Sequence, residues 1–364
     1  MTKPKATGVI ARPGDTIGIL GGGQLGRMLA IAAADLGLDV HIFTPEQDSP
    51  ASRVAKKTWV APFEDRDALR EFAASITVAT IEFENVPVDA VDLIEDEGVP
   101  VRPNGETLSR AQDRLAEKTF FREIGIEPAN FARIDHPDQI QPELERLGGS
   151  GVLKSRFAGY DGKGQVRLKG TIQPYPAWAE VGGKMAILEA WVEHDFEISV
   201  IAARSESGEF VAFDPPENDH SGGILRKSTF PSKASPAIIE EAKRLAKKLA
   251  DELGYIGVLA LELFVTKDGK LLANEFAPRV HNSGHWTQDA CFTGQFEQHI
   301  RAVCGWPLGN PARHSDGEML NLLGEEAHAW EQHLTEGAKL HLYGKRRAIH
   351  GRKMGHITKL RPRS

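Results

Sequence analysis

Glu262 and Glu275 are the residues of this chain whose spacing most directly implies chemistry. They flank a Lys-Asp-Gly turn in GVLALELFVTKDGKLLANEFAPRVHNSGHW, between apolar runs at 258–265 and 270–276 that read as strands. Asp268-Gly269 predicts a two-residue hairpin turn whose glycine takes positive φ. Pairing Lys267 with Lys270 across that turn sets Glu262 opposite Glu275. Two carboxylates on one face among apolar neighbours repel, and desolvating them is costly without a cation between them. A hard divalent ion that takes carboxylate oxygen and keeps room for phosphate oxygens suits the pair: Mg²⁺ above all, or Mn²⁺ in its place.

A second motif supplies the phosphate side. Gly159, Tyr160, Asp161, Gly162, Lys163, Gly164 and Gln165 form a glycine-rich loop shortly after a strand at 151–154 that ends in Lys154. Its amides are suited to close over a triphosphate as a lid, with Lys154 reaching a phosphate from below. Alone, the loop reads equally well as a solvated hairpin tip; the paired glutamates downstream favour the lid. Next come Glu189, Ala190, Trp191 and Val192, a strand end running into a short connector able to meet an adenine edge, and Glu197, a carboxylate suited to ribose hydroxyls. Taken singly, these are ordinary edge-strand residues. His220, in the polar loop 217–223, is placed to line the same nucleotide site.

The loop GGGQLGRM at 21–28 matches G-x-G-x-x-G between a strand and a helix, so its amides, those of Gln24 and Leu25 included, can face a phosphate. A nicotinamide dinucleotide is the obvious ligand. Yet the second strand ends in Phe43-Thr44-Pro45, with no acidic residue at its tip for a ribose hydroxyl. Another phosphate-bearing ligand, or a purely structural turn, competes with that reading.

The elements that must position these residues follow from hydrophobic periodicity. Strands at 16–20, 39–43, 58–60 and 77–81 alternate with helices at 24–36, 67–74 and 89–97, which implies a parallel, doubly wound sheet ending near Arg110. One helix is expected at 109–124. Strands follow at 151–154, 165–168, 186–190 and 196–203, then an amphipathic helix at 235–253. Past the hairpin, the sequence predicts a helix at 292–303, a linker at 306–311, and short strands at 339–343 and 356–360. The domains expected are a flexible extension at 1–14, an α/β domain at 15–110, a nucleotide-binding domain at 111–305 with a lid subdomain at about 111–192, and a β-rich module at 306–364.

With 364 residues, 41% apolar and 26% charged, the chain is an ordinary soluble globular protein, and its net charge of −7 argues against a nucleic-acid or anionic-membrane partner. No apolar run is long enough to span a bilayer. Cys291 and Cys304 match no metal-ligand spacing and read as buried thiols of a cytoplasmic protein.

Lys154, the 159–165 loop, Glu189 to Val192, Glu197 and the Glu262/Glu275 pair occur in the order and spacing of the ATP-grasp family, which the chain resembles. The run NEFAPRVHNSGHWT at 274–287, with GGGQLGRM, GYDGKGQ and GRKMGH at 351–356, is similar to one branch of it, the 5-(carboxyamino)imidazole ribonucleotide synthases of purine biosynthesis. The resemblance runs from about Thr16 onward. It implies an α/β ATP-grasp fold, with an N-terminal doubly wound pre-ATP-grasp domain and a small C-terminal β-rich module. It also implies the reaction of ATP, bicarbonate and 5-aminoimidazole ribonucleotide to the carboxyamino ribonucleotide, ADP and phosphate, in a homodimer. Arg279, His281 and Asn282, just past the second metal glutamate, are then the catalytic residues. Glu262 and Glu275 hold Mg²⁺. Arg114, Lys154, residues 159–165, Glu189 to Val192, Glu197, His220, Asn274 and Glu275 bind ATP. Gln24, Leu25, Glu84, Tyr160, Asp161, Lys345, Arg352 and Lys353 meet the ribonucleotide.

One departure stands out: where many ATP-grasp members carry an asparagine two residues after the second metal glutamate, this chain has Ala277. Asn274 is adjacent to Glu275, and strand alternation turns it to the opposite face. The competing readings are a formate-using transformylase or biotin-type carboxylase of the same superfamily, an NAD(P)-dependent oxidoreductase resting on the first glycine loop, and a non-catalytic nucleotide sensor.

Overall fold

The computed structural model describes residues 8–157 and 164–363. An N-terminal unit contains β1 (Thr16–Leu20), α1 (Gln24–Asp35), β2 (Asp39–Thr44), β3 (Lys57–Val60), α2 (Arg66–Ala73), β4 (Val78–Ile81), α3 (Val88–Asp96) and α4 (Gly105–Gln112). Its strands pair in parallel in the order β3-β2-β1-β4. β4 is buried along its whole length, as a strand covered on both faces requires. The extension expected to be flexible as far as residue 14 is corrected over 8–14. Ile10 N–H bonds to Cys304 O at 2.9 Å, Trp306 Nε1 donates to Ala11 O at 2.7 Å, and Ala11 is buried.

The single helix expected at 109–124 is two, α4 and α5 (Arg114–Glu123). The chain breaks at Asp113, whose backbone is extended and whose carboxylate accepts from Leu115 N–H at 3.0 Å. Arg156 grips the same carboxylate through two bonds of 2.6 and 2.5 Å. Competition from a capping aspartate explains the break, and it aims the N-terminus of α5 at the lid.

The lid is an antiparallel sheet in the order β5-β8-β6-β7, from β5 (Phe131–Ile134), β6 (Ser150–Ser155), β7 (Gln165–Lys169) and β8 (Ala186–Ala190). It is backed by α6 (Ile140–Arg146) and α7 (Pro174–Glu180). The largest sheet holds β9 (His194–Arg204), β10 (Phe210–Ala212), β11 (Glu217–Ser221), β12 (Ile224–Phe230), β13 (Gly257–Thr266), β14 (Leu271–Ala277), β15 (Ser315–Leu323), β16 (Lys339–Leu342) and β17 (Lys353–Pro362). α8 (Pro236–Glu252) buries Ala242, Leu245, Ala246 and Leu249 in the core that includes β9 and β13. The short α9 (Thr287–Ala290) and then α10 (Gln295–Val303) follow the hairpin. The helix expected from residue 292 starts only at Gln295, because Gly294 is extended at its N-cap and Phe292 lies exposed before it.

The C-terminal strands do not form a sheet of their own. β15 pairs with β12 and β17 pairs with β15, so they extend the central sheet at the end away from the hairpin, with β17, which carries Lys353 and His356, next to the edge strand β16. Among the described residues, no helix is long and apolar enough to cross a membrane.

Candidate active site

The paired glutamates are brought together, by a route different from the one expected. Thr266 N–H bonds to Lys270 O at 3.0 Å and Gly269 N–H to Thr266 O at 2.9 Å, so the loop is the three residues Lys267-Asp268-Gly269, with Gly269 at φ +81°. That turn pairs Val265 with Leu271 and Leu263 with Ala273. An extra residue in β14 at Asn274 then restores the register, and Glu262 pairs with Glu275. Side chains alternate faces along a strand, so this bulge decides that the two carboxylates share a face.

The bulge is gripped from both sides by the first turns of α5. Lys118 Nζ donates to Asn274 O, and Glu117 Oε1 accepts from Phe276 N–H at 2.7 Å. Asn274, expected to alternate away from the metal face, is instead the bulged residue, and its carbonyl is held by Lys118. Glu117 and Lys118 escaped the sequence reading because a Glu-Lys pair in a helix looks like solvated surface. Yet Lys118 is 1% exposed, and burial together with Glu275 pushes Glu117 up to about 8.

Glu262 is buried while Glu275 is exposed. Burial first, then the charge of Glu275, pushes Glu262 up to about 7. Two facing carboxylates, one of them buried, repel and gain from a shared counter-charge, so the donor set fits a divalent cation. Because its folded pKa is raised, the stability Glu262 contributes is present at low pH and is lost as pH rises through about 7. A bound cation displaces the proton and offsets that loss. The melting-temperature gain on adding Mg²⁺ is therefore expected to grow between about pH 5.5 and about pH 8. Differential scanning fluorimetry at both pH values checks this, and an equal gain at each would remove Glu262 from the metal shell.

His220 links the two acidic halves of the site. Its Nδ1 lies 3.0 Å from Glu197 Oε2, while His194 Nε2 is 3.4 Å from Glu197 Oε1. Burial opposes the charge on His220, but Glu197 and Glu262 together raise its pKa.

His281 sits beside the glutamate pair, its Nε2 3.3 Å from Glu262 Oε1. A chain of hydroxyls and one amide reaches its other nitrogen. Ser228 Oγ donates to Asn218 Oδ1 at 2.7 Å, Asn218 Nδ2 to Ser199 Oγ at 2.9 Å, and Ser199 Oγ to Ser283 Oγ at 2.7 Å. Ser283 Oγ lies 2.8 Å from His281 Nδ1. With its own oxygen already accepting from Ser199, Ser283 has its proton available for Nδ1, which places the His281 proton on Nε2. Burial, then Arg279 and Lys353, holds this imidazole well below its usual pKa, so it is neutral.

Arg279 lies between Glu84 of the N-terminal unit and Glu275 of the hairpin. Its Nε donates to Glu84 Oε2, and Nη1 to Val280 O at 3.1 Å. Asn282 is not at the reacting face: its amide and that of Asn321 bond reciprocally at 2.9 and 2.8 Å, and both are buried. Its catalytic assignment is corrected to that of an anchor between the His281 loop and β15.

Glu189 is also deeper than expected. Its carboxylate is 3.4 Å from Lys118 Nζ and 3.1 Å from Lys154 Nζ, and the two cations overcome burial to hold it down to about 2. In the connector, Ala190 N–H bonds to Asn130 O at 2.7 Å and Trp191 N–H to Ser150 O at 2.9 Å. Those two amides are therefore committed to backbone pairing, and Val192 O lies 3.2 Å from His194 Nδ1. Arg167 Cζ stacks over the Trp191 ring at 3.6 Å. Arg114 Nη1 donates to Ser155 O at 3.0 Å, at the end of the lid strand. Of the lid loop, Gly159, Tyr160, Asp161, Gly162 and Lys163 lie outside the described residues. Gly164 (φ +68°) accepts from Ser155 N–H at 2.8 Å, and Gln165 pairs with Lys154.

The first glycine loop already holds an anion. Glu82, one residue past β4, accepts from Gly23 N–H at 2.8 Å and Gly26 N–H at 3.2 Å. A carboxylate fills the N-terminal end of α1 where a dinucleotide phosphate would sit, and a Cβ on Gly23 would meet Glu82 Oε1 at 2.7 Å. Gln24 and Leu25 start that helix beside the filled position. Glu82→Ala is expected to cost about 2–4 kcal/mol of folding stability, because it strips two amides of their acceptor. Urea denaturation reads it out, and an unchanged midpoint would show that the carboxylate does not cap α1.

From the C-terminal strands, Lys345 Nζ donates to Lys353 O at 2.7 Å, and both side chains act electrostatically on the site, Lys345 on Glu82 and Lys353 on Glu262. Arg352 is exposed and makes no part of this cluster. The loop between β16 and β17 docks on the N-terminal unit: Arg53 Nη1 donates to Gly344 O at 2.5 Å, and Arg346 pairs with Asp48.

A lid sheet hinged on a central sheet, with facing carboxylates on a hairpin beneath it, defines an ATP-grasp ligase. Residues 119–296 match the ATP-grasp domain, 15–112 the ribonucleotide synthetase preATP-grasp domain, and 318–364 the phosphoribosylaminoimidazole carboxylase C-terminal domain. The chain is 52% identical to the N5-carboxyaminoimidazole ribonucleotide synthase of Brucella melitensis, over 97% of this chain and 98% of that protein. A crystal structure of an ADP complex of an N5-carboxyaminoimidazole ribonucleotide synthetase superposes with TM-score 0.93 at 40% identity, covering 97% of this chain and 94% of the other. That of the Aspergillus clavatus synthase with ADP and 5-aminoimidazole ribonucleotide gives 0.89 at 29% identity, covering 96% and 94%. The chain belongs to the N5-carboxyaminoimidazole ribonucleotide synthase family.

Proposed function

We propose that this enzyme carboxylates 5-aminoimidazole ribonucleotide with bicarbonate at the expense of ATP, through carboxyphosphate, releasing ADP and phosphate. The observation that carries the reading is the continuity of Glu275 with Arg279 and His281. The nucleotide-side carboxylates and the groups suited to a planar anion share one stretch of chain. Bicarbonate is a poor electrophile because its leaving oxygen is anionic; phosphorylation turns that oxygen into a phosphate that can depart. The site's work is therefore charge neutralisation and positioning.

Glu262 and Glu275 would hold Mg²⁺, which when bound neutralises phosphate charge. Lys154 leaves its pairing with Glu189 to meet a phosphate, while Lys118 stays to keep that carboxylate compensated. Val192 takes the adenine edge and Glu197, held by His194 and His220, the ribose hydroxyls. Arg279 offers its guanidinium to bicarbonate. Neutral His281 serves as an Nε2–H donor to the same anion rather than as a base, since its Nδ1 is occupied by Ser283. Lys345 and Lys353, beside the capped end of α1, face the ribonucleotide.

The test is ADP release with bicarbonate and aminoimidazole ribonucleotide omitted in turn. Turnover should require both. Turnover indifferent to the ribonucleotide would sink the reading, and hydride transfer from NADH would replace it. The homodimer implied by the family resemblance belongs to this proposal, and sedimentation equilibrium reads it directly.

A further inference from the structure

Behind the His281 loop lies a second cluster that the proposed reaction does not use. His341 on β16 and His356 on β17 are cross-strand partners, and Asp289 of α9 faces them. Candidate ligand atoms of these three residues all lie within 4.8 Å of one another. His341 Nε2 is 2.9 Å from Asp289 Oδ2. His356 is fully buried; its Nδ1 lies 2.9 Å from Tyr343 Oη, and its Nε2 has no hydrogen-bond partner. His285, also fully buried, has an unpartnered Nε2 and a ring 4.9 Å from that of His356.

Buried imidazole nitrogens are ordinarily satisfied, and leaving one orphaned is costly. The surroundings of His356 suit a metal ligand: one ring nitrogen is fixed by a buried phenol, the other has no partner, and a carboxylate and a second imidazole stand beside the ring. We propose that Asp289, His341 and His356 form a site for a divalent transition ion of the zinc class. Two imidazoles and a carboxylate are a zinc-type donor set and a poor one for Mg²⁺. The rings of His341 and His356 stack at 4.5 Å with 13° between their planes, so one must swing for both nitrogens to face one ion. His341 has the room, since 29% of its side chain is exposed. Binding would displace the proton shared between His341 and Asp289. It would also pin β16 and β17 to α9, fixing the strand that carries Lys353.

The experiment is zinc titration of the chelator-treated full-length protein, followed by desalting and metal analysis by mass spectrometry, with Co²⁺ substitution for ligand-field bands. The wild type should retain one zinc per chain, show tetrahedral Co²⁺ bands, and melt higher with zinc. Asp289→Asn and His341→Asn, both at partly exposed positions, should lose all three signals, while Glu262→Gln keeps them. A wild type that retains no zinc overturns the proposal. So does equal retention in the Asp289 and His341 variants, or loss in Glu262→Gln alone, which would place the ion at the hairpin.

Discussion

Glu275→Gln is expected to remove nearly all ADP formation, by roughly three orders of magnitude, and to leave the protein folded. Glu275 is exposed and forms none of the core, so an isosteric amide disturbs no packing. The substitution also deletes the charge that, after burial, does most to push up Glu262. The pKa of Glu262 should then fall toward its ordinary value. The metal-free variant should match or exceed the wild type in melting temperature near neutral pH, because the repulsion between exposed Glu275 and buried Glu262 has gone. Loss of activity together with equal or greater stability separates a ligand defect from a folding defect. ADP release at saturating Mg²⁺, alongside thermal melting without it, makes the measurement. Activity within a few-fold of wild type would mean that Glu275 does not carry the metal.

The facing of Glu262 and Glu275 was legible in the sequence, but through two departures that offset each other. A three-residue turn shifts the register by one, and the bulge at Asn274 shifts it back. Local turn chemistry predicts neither, because the bulge is held by Lys118 and Glu117 from a helix 156 and 159 positions earlier. The same limit explains Glu82. G-x-G-x-x-G marks an anion-binding helix end, and the anion turned out to be a carboxylate fifty-six positions beyond Gly26. Placements set by local spacing were readable: the hairpin glutamates face one another, and His281 of the stretch that follows lies beside Glu262. Asn282 was misread because its role is set by Asn321, on a strand whose place in the central sheet is a matter of long-range pairing. Element positions in the N-terminal unit agreed closely, since alternating strands and helices are locally encoded.

Arg279→Lys tests whether shape as well as charge is required at the acceptor anion. The arginine is partly buried at the junction of the two units, with Nε committed to Glu84 and Nη1 to Val280 O. Burial disfavours its charge, yet Glu84, then Glu82 and Glu275, raise its pKa, so it stays protonated across the working range. Lysine keeps the charge but is a point donor, unable to hold Glu84 and present a fork to a planar anion together. The expected result is a fall of about 10²–10³-fold in kcat/KM for bicarbonate, with the KM for ATP changed only slightly. Glu84→Gln should move the same parameter in the same direction, by about tenfold, because the guanidinium keeps its place but loses its charged anchor. The readout is the split between bicarbonate and ATP saturation at fixed ribonucleotide, with thermal melting to confirm the fold. If lysine supports bicarbonate saturation as arginine does, the guanidinium only ties β4's loop to the hairpin. The acceptor pocket would then have to be built from His281 and Lys353 instead.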